Sequence, residues 1–330
     1  MSYTPPFSLT PYMMDMVFKI GEKVNRIDGY RALDPNPNLR KQNRIRSIHS
    51  SCAIEANSLS FDAVSDIING HHVIGPEKDI IEVKNAIEAY SDLGIINPYN
   101  IDDFLKTHGI MVKGLEKEAG MFRTGAEGVF KGNTLIFMAP PPELVPNLMN
   151  DLFDWMKRSS SSLNPLIVSS IFHYEMVFIH PFTDGNGRMA RLWQTAILGK
   201  WREAFHWIPI ENRIEKAQQE YYDTIERCNN AGDSTLFIEF MLRMILTALE
   251  DAEYEMKNVS DAVPERVKQF IDSLERGRYY TINELMKNKG MVSHSSFLRD
   301  YISPAKDHGM IEMEFPDNPR STKQRYRRIG

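Results

Sequence analysis

The sequence predicts a mainly α-helical fold: a helical bundle carrying one short β-hairpin, followed by a small module that ends in two strands. Three observations predict it. Apolar residues recur three and four apart through most of the chain. Strand-like alternation is confined to a Gly-rich stretch after Arg123 and to the C-terminal end. A polar run, KNVSDAVP over Lys257–Pro264, reads as a linker between two parts.

The first stretch, through Asn57, is polar and turns helical from about Leu39, because neither Gly nor Pro interrupts it until well past Ile54. Asp79–Leu93 and Ile101–Leu115 each space their apolar residues to give one core-facing stripe. Between Arg123 and Pro142 the texture TGAEGVFKGNTLIFMAPPP predicts a hairpin with a Gly132-Asn133 turn, stopped by the three prolines. Helix resumes over Glu143–Arg158, and again from Asn164, a capping residue followed by Pro165, to about Ile179. Gly187–Lys200 and Ile214–Cys228 flank a Trp-Ile-Pro connection, and Thr235–Met256 closes the core. The boundaries expected are a helical region over 1–100, a core over 101–256 and a C-terminal module over 264–330.

In that module VKQFIDSL, TINELMKN and SHSSFLRDYI predict three short helices, with Lys289-Gly290 as a tight turn. Gly309–Phe315 and KQRYRRI read as strands around the loop PDNPRST. This order resembles a winged helix-turn-helix. Its third helix, from about Ser293, would enter a major groove, with Arg320, Lys323, Arg325, Arg327 and Arg328 on or near the wing. From Glu265 onward 13 Lys/Arg face 9 Asp/Glu, a balance of +4, leaving 26 against 35, or −9, for the rest of the chain. So mild an excess leaves DNA, a protein partner and homodimerisation all open.

At 330 residues, 42% hydrophobic and 25% charged, the composition is that of a soluble globular protein with room for two or three domains. Two distant cysteines, Cys52 and Cys228, exclude a disulfide framework and a four-cysteine zinc site and fit a reducing compartment. No basic start with an apolar run opens the chain and no long apolar segment follows, so a cytoplasmic protein without a membrane span is expected.

The chemistry concentrates in His180-Pro-Phe-Thr-Asp-Gly-Asn-Gly-Arg-Met-Ala-Arg191, between two amphipathic helices. The small residues of Asp184-Gly-Asn-Gly let successive backbone N–H groups converge just before a helix N-terminus, which makes an anion cradle. Arg188 and Arg191, nearly one turn apart, can add two charged forks to a phosphate chain. Asp184 offers an oxygen to a hard cation such as Mg²⁺, and His180 can take a proton near neutral pH. Each part alone is commonplace. The spacing H-x-F-x-[DE]-G-N-G-R-x-x-R fixes eight positions, with a chance occurrence under about one in a billion per start site on uniform frequencies.

This loop resembles the signature of the Fic (filamentation induced by cAMP) domain proteins at every defined position, and the likeness extends from about Ser51 to Met241. It implies a Fic-type helical bundle and an AMP transferase acting from ATP on Ser, Thr or Tyr of a protein, the chain itself included. By resemblance His180 is the general base, Asp184 binds Mg²⁺, and Gly185, Asn186 and Gly187 form the anion hole. Arg188 and Arg191 hold phosphates, Phe182 anchors the loop, and Thr124–Ala139 is the flap that aligns a target strand. Relatives that act as kinases carry Lys in place of the last Gly; Gly187 is retained here.

His49–Asn57 likewise resembles the family's inhibitory helix, expected over about 39–57, written [ST]-x-x-x-E-[GN]. It implies that Ser51 and Glu55 share a face and that Glu55 pairs with Arg191, displacing the γ-phosphate. Ala56 departs from that pattern. Glu55 can also orient a water for removal of AMP, so a deAMPylase stays open beside a DNA-binding regulator with a nucleotide-sensing site. Tyr222 and Asn229 match positions lining an adenine pocket. His108, His173 and His206 lack ligand spacing and read as structural or exposed.

Overall fold

Pro11–Leu33 (α1) buries Met13, Met16, Ile20, Val24 and Ile27, a stripe at the three- and four-residue spacing that one helix face requires. This helix corrects the sequence reading, which starts only at Leu39. Gly21 interrupts it and lowers its propensity, so packing of the stripe sustains it. In the computed structural model, which describes residues 3–33, 37–131, 134–261, 264–316, 318, 321 and 323–329, the chain divides into two units, Met1–Glu253 and Tyr254–Gly330. The Gly132-Asn133 turn and Arg320 lie outside the described residues. Among the described residues no helix is long and apolar enough to cross a membrane.

The first unit continues with Pro37–Ile54 (α2), Phe61–Ile68 (α3), Glu77–Ser91 (α4) and Ile101–Met111 (α5). The hairpin pairs Gly128–Lys131 (β1) antiparallel with Thr134–Met138 (β2), with a bulge between Val129 and Phe130. Val145–Ser159 (α6), Pro165–Ile179 (α7), Asn186–Trp201 (α8), Ile210–Lys216 (α9) and Gln218–Ala231 (α10) follow, and the first unit ends within Thr235–Asp261 (α11). The helix expected over Ile214–Cys228 is two helices, because the backbone leaves helical geometry at Ala217 (φ −112°). Asn164 caps α7 by accepting the Leu166 N–H at 3.0 Å, with Pro165 at the first helical position.

Helix α7 is apolar nearly all round and buried along most of its length, and α8 lies against it. Their junction sits over an aromatic cluster. Phe104 from α5 meets Phe153, Phe172 and Trp193 edge-on at centroid distances of 5.5, 6.2 and 5.0 Å. Such pairs add about 0.5–1.5 kcal/mol beyond area burial, and they make a rigid floor for the loop between α7 and α8.

The second unit has its own core, built on Val267, Phe270 and Ile271 from Glu265–Asp272 (α12), Leu285 from Ile282–Lys289 (α13), and Phe297 and Tyr301. A strand the sequence reading omits, Tyr279–Thr281 (β3), is only three residues long. It pairs with Arg325–Arg328 (β5), which pairs in turn with Ile311–Met313 (β4), giving the antiparallel order β3-β5-β4. The expected third helix is broken into His294–Phe297 (α14), a π-helical turn over Leu298–Ile302 and Ser303–Asp307 (α15).

Candidate active site

Helix α7 ends because His180 adopts the left-handed conformation (φ 52°, ψ 59°) and its N–H returns to the Met176 carbonyl. A non-glycine residue there is strained, so the surroundings must hold it. Phe182, fully buried, is one anchor: its ring stacks on Phe104 at 5.3 Å and on the His108 imidazole at 3.5 Å. Asn186 is another, since its Oδ1 accepts the Phe182 N–H (3.0 Å) and its Nδ2 donates to the Phe182 carbonyl (2.7 Å). The Asn186 side chain therefore fixes the loop, leaving only its backbone to face an anion. Gly185 (φ 83°) starts α8 without a side-chain cap, so the first N–H groups of that helix stay open.

His108 is buried and part of this scaffold. Its Nδ1 accepts the Gly120 N–H (3.1 Å) and its Nε2 donates to the Asp184 carbonyl (3.0 Å). Burial pushes its pKa down to about 4, which keeps the ring a neutral clamp. His173 is wholly buried between Gln194 Oε1 (2.6 Å) and the Tyr221 hydroxyl (2.9 Å), its pKa pushed down to about 3 by burial. His206 is half-buried against Gly199, where a methyl group would collide with its ring.

Arg123 and Glu118 are the residues that sequence reasoning misses. Arg123, 2% exposed, donates through Nε to the His180 carbonyl (2.7 Å) and through Nη1 to the Gly125 carbonyl (2.7 Å). Glu118 accepts from the Thr124 and Thr183 hydroxyls (2.7 and 2.8 Å). Both act on partners set by the fold, so no local spacing marks them.

On the charged side of the loop, Asp184 Oδ1 accepts from the Gly185 N–H and pairs with Arg188 Nη2 at 2.9 Å. Burial pushes the Asp184 carboxyl upward, but the Arg188 guanidinium outweighs it and holds it below the usual carboxylate range. Arg188 is 2% exposed, lies 3.6 Å from Glu82 Oε1, and keeps Nε and Nη1 without hydrogen-bond partners. Arg191 is equally buried. It donates to Ser51 Oγ (3.1 Å), to the Ser51 carbonyl (2.9 Å) and to Glu55 Oε1 (2.8 Å), and its Nη1 has no hydrogen-bond partner. Burial alone would weaken its hold on the proton; the Glu55 carboxylate more than restores it.

Ser51 and Glu55 thus reach the same arginine, although α2 stops at Ile54 and Glu55 lies in the turn that follows. Ala56, at the departure from the family pattern, has φ 64°. The Glu55 carboxylate sits directly over Gly187, where any added methyl would strike Oε1. The Ile54 carbonyl, an orphan acceptor at the helix end, is taken by Gln218 Nε2 (2.9 Å) and the Tyr222 hydroxyl (3.1 Å) from α10.

A cavity of 460 Å³ opens beside this turn, lined among others by Glu55, His180, Gly187, Tyr222 and Asn229. Asn229 Oδ1 accepts the Tyr174 hydroxyl at 3.0 Å, which fixes the amide plane and keeps Nδ2 as its donor. His180 stands half-buried at the cavity edge with Nδ1 3.3 Å from the Val177 carbonyl. Burial lowers its pKa, and the Arg123 cation adds to that. Nδ1 is thereby fixed as donor, and Nε2 is the nitrogen with a lone pair.

Residues 98–198 match the Fic/DOC family, and residues 265–328 match the C-terminal domain of the filamentation-induced-by-cAMP protein Fic-like group. A protein adenylyltransferase Fic from Nematostella vectensis is 28% identical over 274 residues, 78% of this chain and 60% of its own length. Protein adenylyltransferase fic-1 of Caenorhabditis elegans is 30% identical over 227 residues, covering 66% of this chain and 42% of its own length. The chain thus spans less than two thirds of these curated relatives. The crystal structure of a Fic family protein from Desulfovibrio desulfuricans G20 superposes with a TM-score of 0.76 at 38% identity over 99% of both chains. A structure of Fic-1 from C. elegans gives 0.62 at 25% identity, over 75% of this chain and 73% of that one. With its loop signature, its helical architecture and both matched segments in agreement, this chain belongs to the Fic family.

Proposed function

We propose that this protein is an adenylyltransferase that moves AMP from ATP onto a Ser, Thr or Tyr hydroxyl of a protein, with Glu55 as its own brake. The supporting observation is the placement of the His180 imidazole and the uncapped start of α8, at Asn186 and Gly187, on the wall of a single cavity, with the buried Arg188 and Arg191 following in the first turns of the same helix. The relatives named protein adenylyltransferase agree with it. In the step proposed, His180 Nε2 takes the proton of the target hydroxyl while its oxygen attacks the α-phosphorus. The bond from that phosphorus to the bridging oxygen breaks, and pyrophosphate leaves with the electron pair. Asn186 and Gly187 offer backbone N–H groups to the phosphates, Gly185 joins them once its N–H leaves Asp184 Oδ1, and Arg188 and Arg191 balance their charge. Tyr222 and Asn229 take the adenine end of the cavity.

Asp184 suits a magnesium ion carried in on the triphosphate. Its carboxyl is kept ionised by Arg188 and is partly exposed, and Mg²⁺ on a nucleotide asks the protein for only one or two carboxylates. When bound, it would neutralise charge on the leaving pyrophosphate.

Incubation with α-labelled ATP and Mg²⁺ tests the reading: label should remain on the protein after denaturation and be absent from His180→Ala. Label lost on denaturation would overturn it. Glu55 faces the same cavity as His180, which also supports hydrolytic removal of AMP; release of AMP from pre-labelled protein by wild type, but not by Glu55→Gly, tests that direction. For the second unit a nucleic-acid role is less supported, since Arg325, Arg327 and Arg328 are paired with Glu314, Glu312 and Asp272.

A further inference from the structure

Arg123 makes more connections to the catalytic loop than any role in folding the flap alone requires. Its backbone N–H donates to the Pro181 carbonyl at 2.9 Å. Its guanidinium reaches the His180 carbonyl and, at 3.5 Å, the Ile179 carbonyl, which are orphan acceptors at the end of α7. The same group holds Gly125 and Pro140, the residues just outside the two ends of the β1–β2 hairpin. One buried cation therefore grips both feet of the flap and the main chain of His180. Glu118 makes a second, independent tie, with one oxygen on Thr124 at the flap's foot and the other on Thr183 in the loop.

We propose that Arg123 and Glu118 are positioning residues that hold the flap in register with the His180 imidazole, so that a target segment paired to the flap meets the base at reacting distance. The inference rests on the AMP-transfer reading of the same site. Transfer depends steeply on that distance: a shift of about 1 Å costs about a hundredfold in rate. Neither side chain lines the nucleotide cavity, so loosening the ties should spare ATP binding. Arg123 has a second effect through its charge, which disfavours protonation of His180.

The test compares Arg123→Gln, Arg123→Lys and Glu118→Gln in a Glu55→Gly chain, reading auto-labelling kinetics, the pH profile and hydrogen exchange of the flap amides. In all three, kcat should fall at least about tenfold with KM for ATP unchanged within about twofold, and flap amides should exchange faster. Removing the Arg123 charge raises the imidazole pKa, so the acid limb of the profile should move to higher pH in Arg123→Gln and stay in place in Arg123→Lys and Glu118→Gln. Flap exchange unchanged, or KM rising in step with the loss of kcat, overturns the proposal. Should the Arg123 variants not fold, Glu118→Gln, at a half-buried site, decides by the same readouts. If the Glu55→Gly parent takes no label at all, AMP transfer has failed instead; flap exchange, with the imidazole titrated by NMR, then decides the tie without activity.

Discussion

Arg191 and Glu55, 136 residues apart in sequence, meet through a 2.8 Å contact between Nη2 and Oε1, and the carboxylate that makes it covers Gly187. One acidic side chain thereby occupies an arginine proposed for phosphate and the space above the glycine proposed for the anion hole.

Removing that side chain should free both. Glu55→Gly is expected to raise auto-labelling with ATP and Mg²⁺ by roughly 5–150-fold, the span of a typical coupling free energy. Gel autoradiography with α-labelled ATP measures it. Equal labelling of the two proteins would show that the pair restrains nothing.

Ala56 pays a backbone penalty at φ 64° that glycine would not. The left-handed conformation costs an L-residue about 1–2 kcal/mol, offset in part by the larger unfolded-state entropy of glycine. Ala56→Gly should therefore stabilise the first unit by about 0.5–1 kcal/mol and seat Glu55 more firmly, lowering basal labelling. All four tryptophans, 155, 193, 201 and 207, lie in that unit, so their fluorescence during urea unfolding reports it. A lower midpoint for the variant contradicts the expectation.

Two buried histidines set the acid side of stability. The folded-state pKa values of His108 and His173, about 4 and about 3, lie below the ordinary 6.5. The unfolded chain then binds the extra protons, so stability is complete above pH 6.5 and is lost as pH falls toward those values. Glu175 works oppositely: burial raises it to about 6 from 4.5, so the folded state takes its proton first and gains stability as pH falls through that window. His180, lowered by burial, adds to the loss, and Glu211, raised by burial, opposes it; from His108 and His173 set against Glu175 a net loss on the order of 1–3 kcal/mol is expected between pH 6.5 and 4.5. Urea midpoints that rise on acidification across that range would refute the balance.

On the wing, Glu312 and Glu314 neutralise Arg327 and Arg325. A Glu312→Gln, Glu314→Gln chain should bind a DNA duplex with a steeper salt dependence, the slope of log K on log salt growing by up to about two if both arginines reach phosphates. Fluorescence anisotropy across a salt series gives that slope, and an unchanged slope assigns the wing arginines to structure.

The helices of the first unit are legible wherever an apolar stripe is long and capped, as at Asn164 and Pro165. Helix α1 has such a stripe, yet Gly21 in its middle lowers helix propensity where packing alone restores it. Strand β3, three residues long, carries too little alternation to register, and the π turn after Phe297 has no sequence mark at all. At the site, the residues from His180 to Arg191 are legible because they act within one loop. Arg123 and His108 are not, because they work through carbonyl groups 57 and 76 residues away, and any residue type supplies a carbonyl. Asn186 is marked by its place in the motif; that its amide is bonded to Phe182 appears only in three dimensions.

The Ile54 carbonyl has a consequence that reaches past the proposed brake. Tyr222 both closes the end of α2 and forms part of the cavity wall. A single phenol thus belongs to two equilibria, and thermodynamic reciprocity makes them inseparable. By whatever factor a docked α2 terminus weakens the hold on an occupant of the cavity, that occupant weakens the docking of α2 by the same factor.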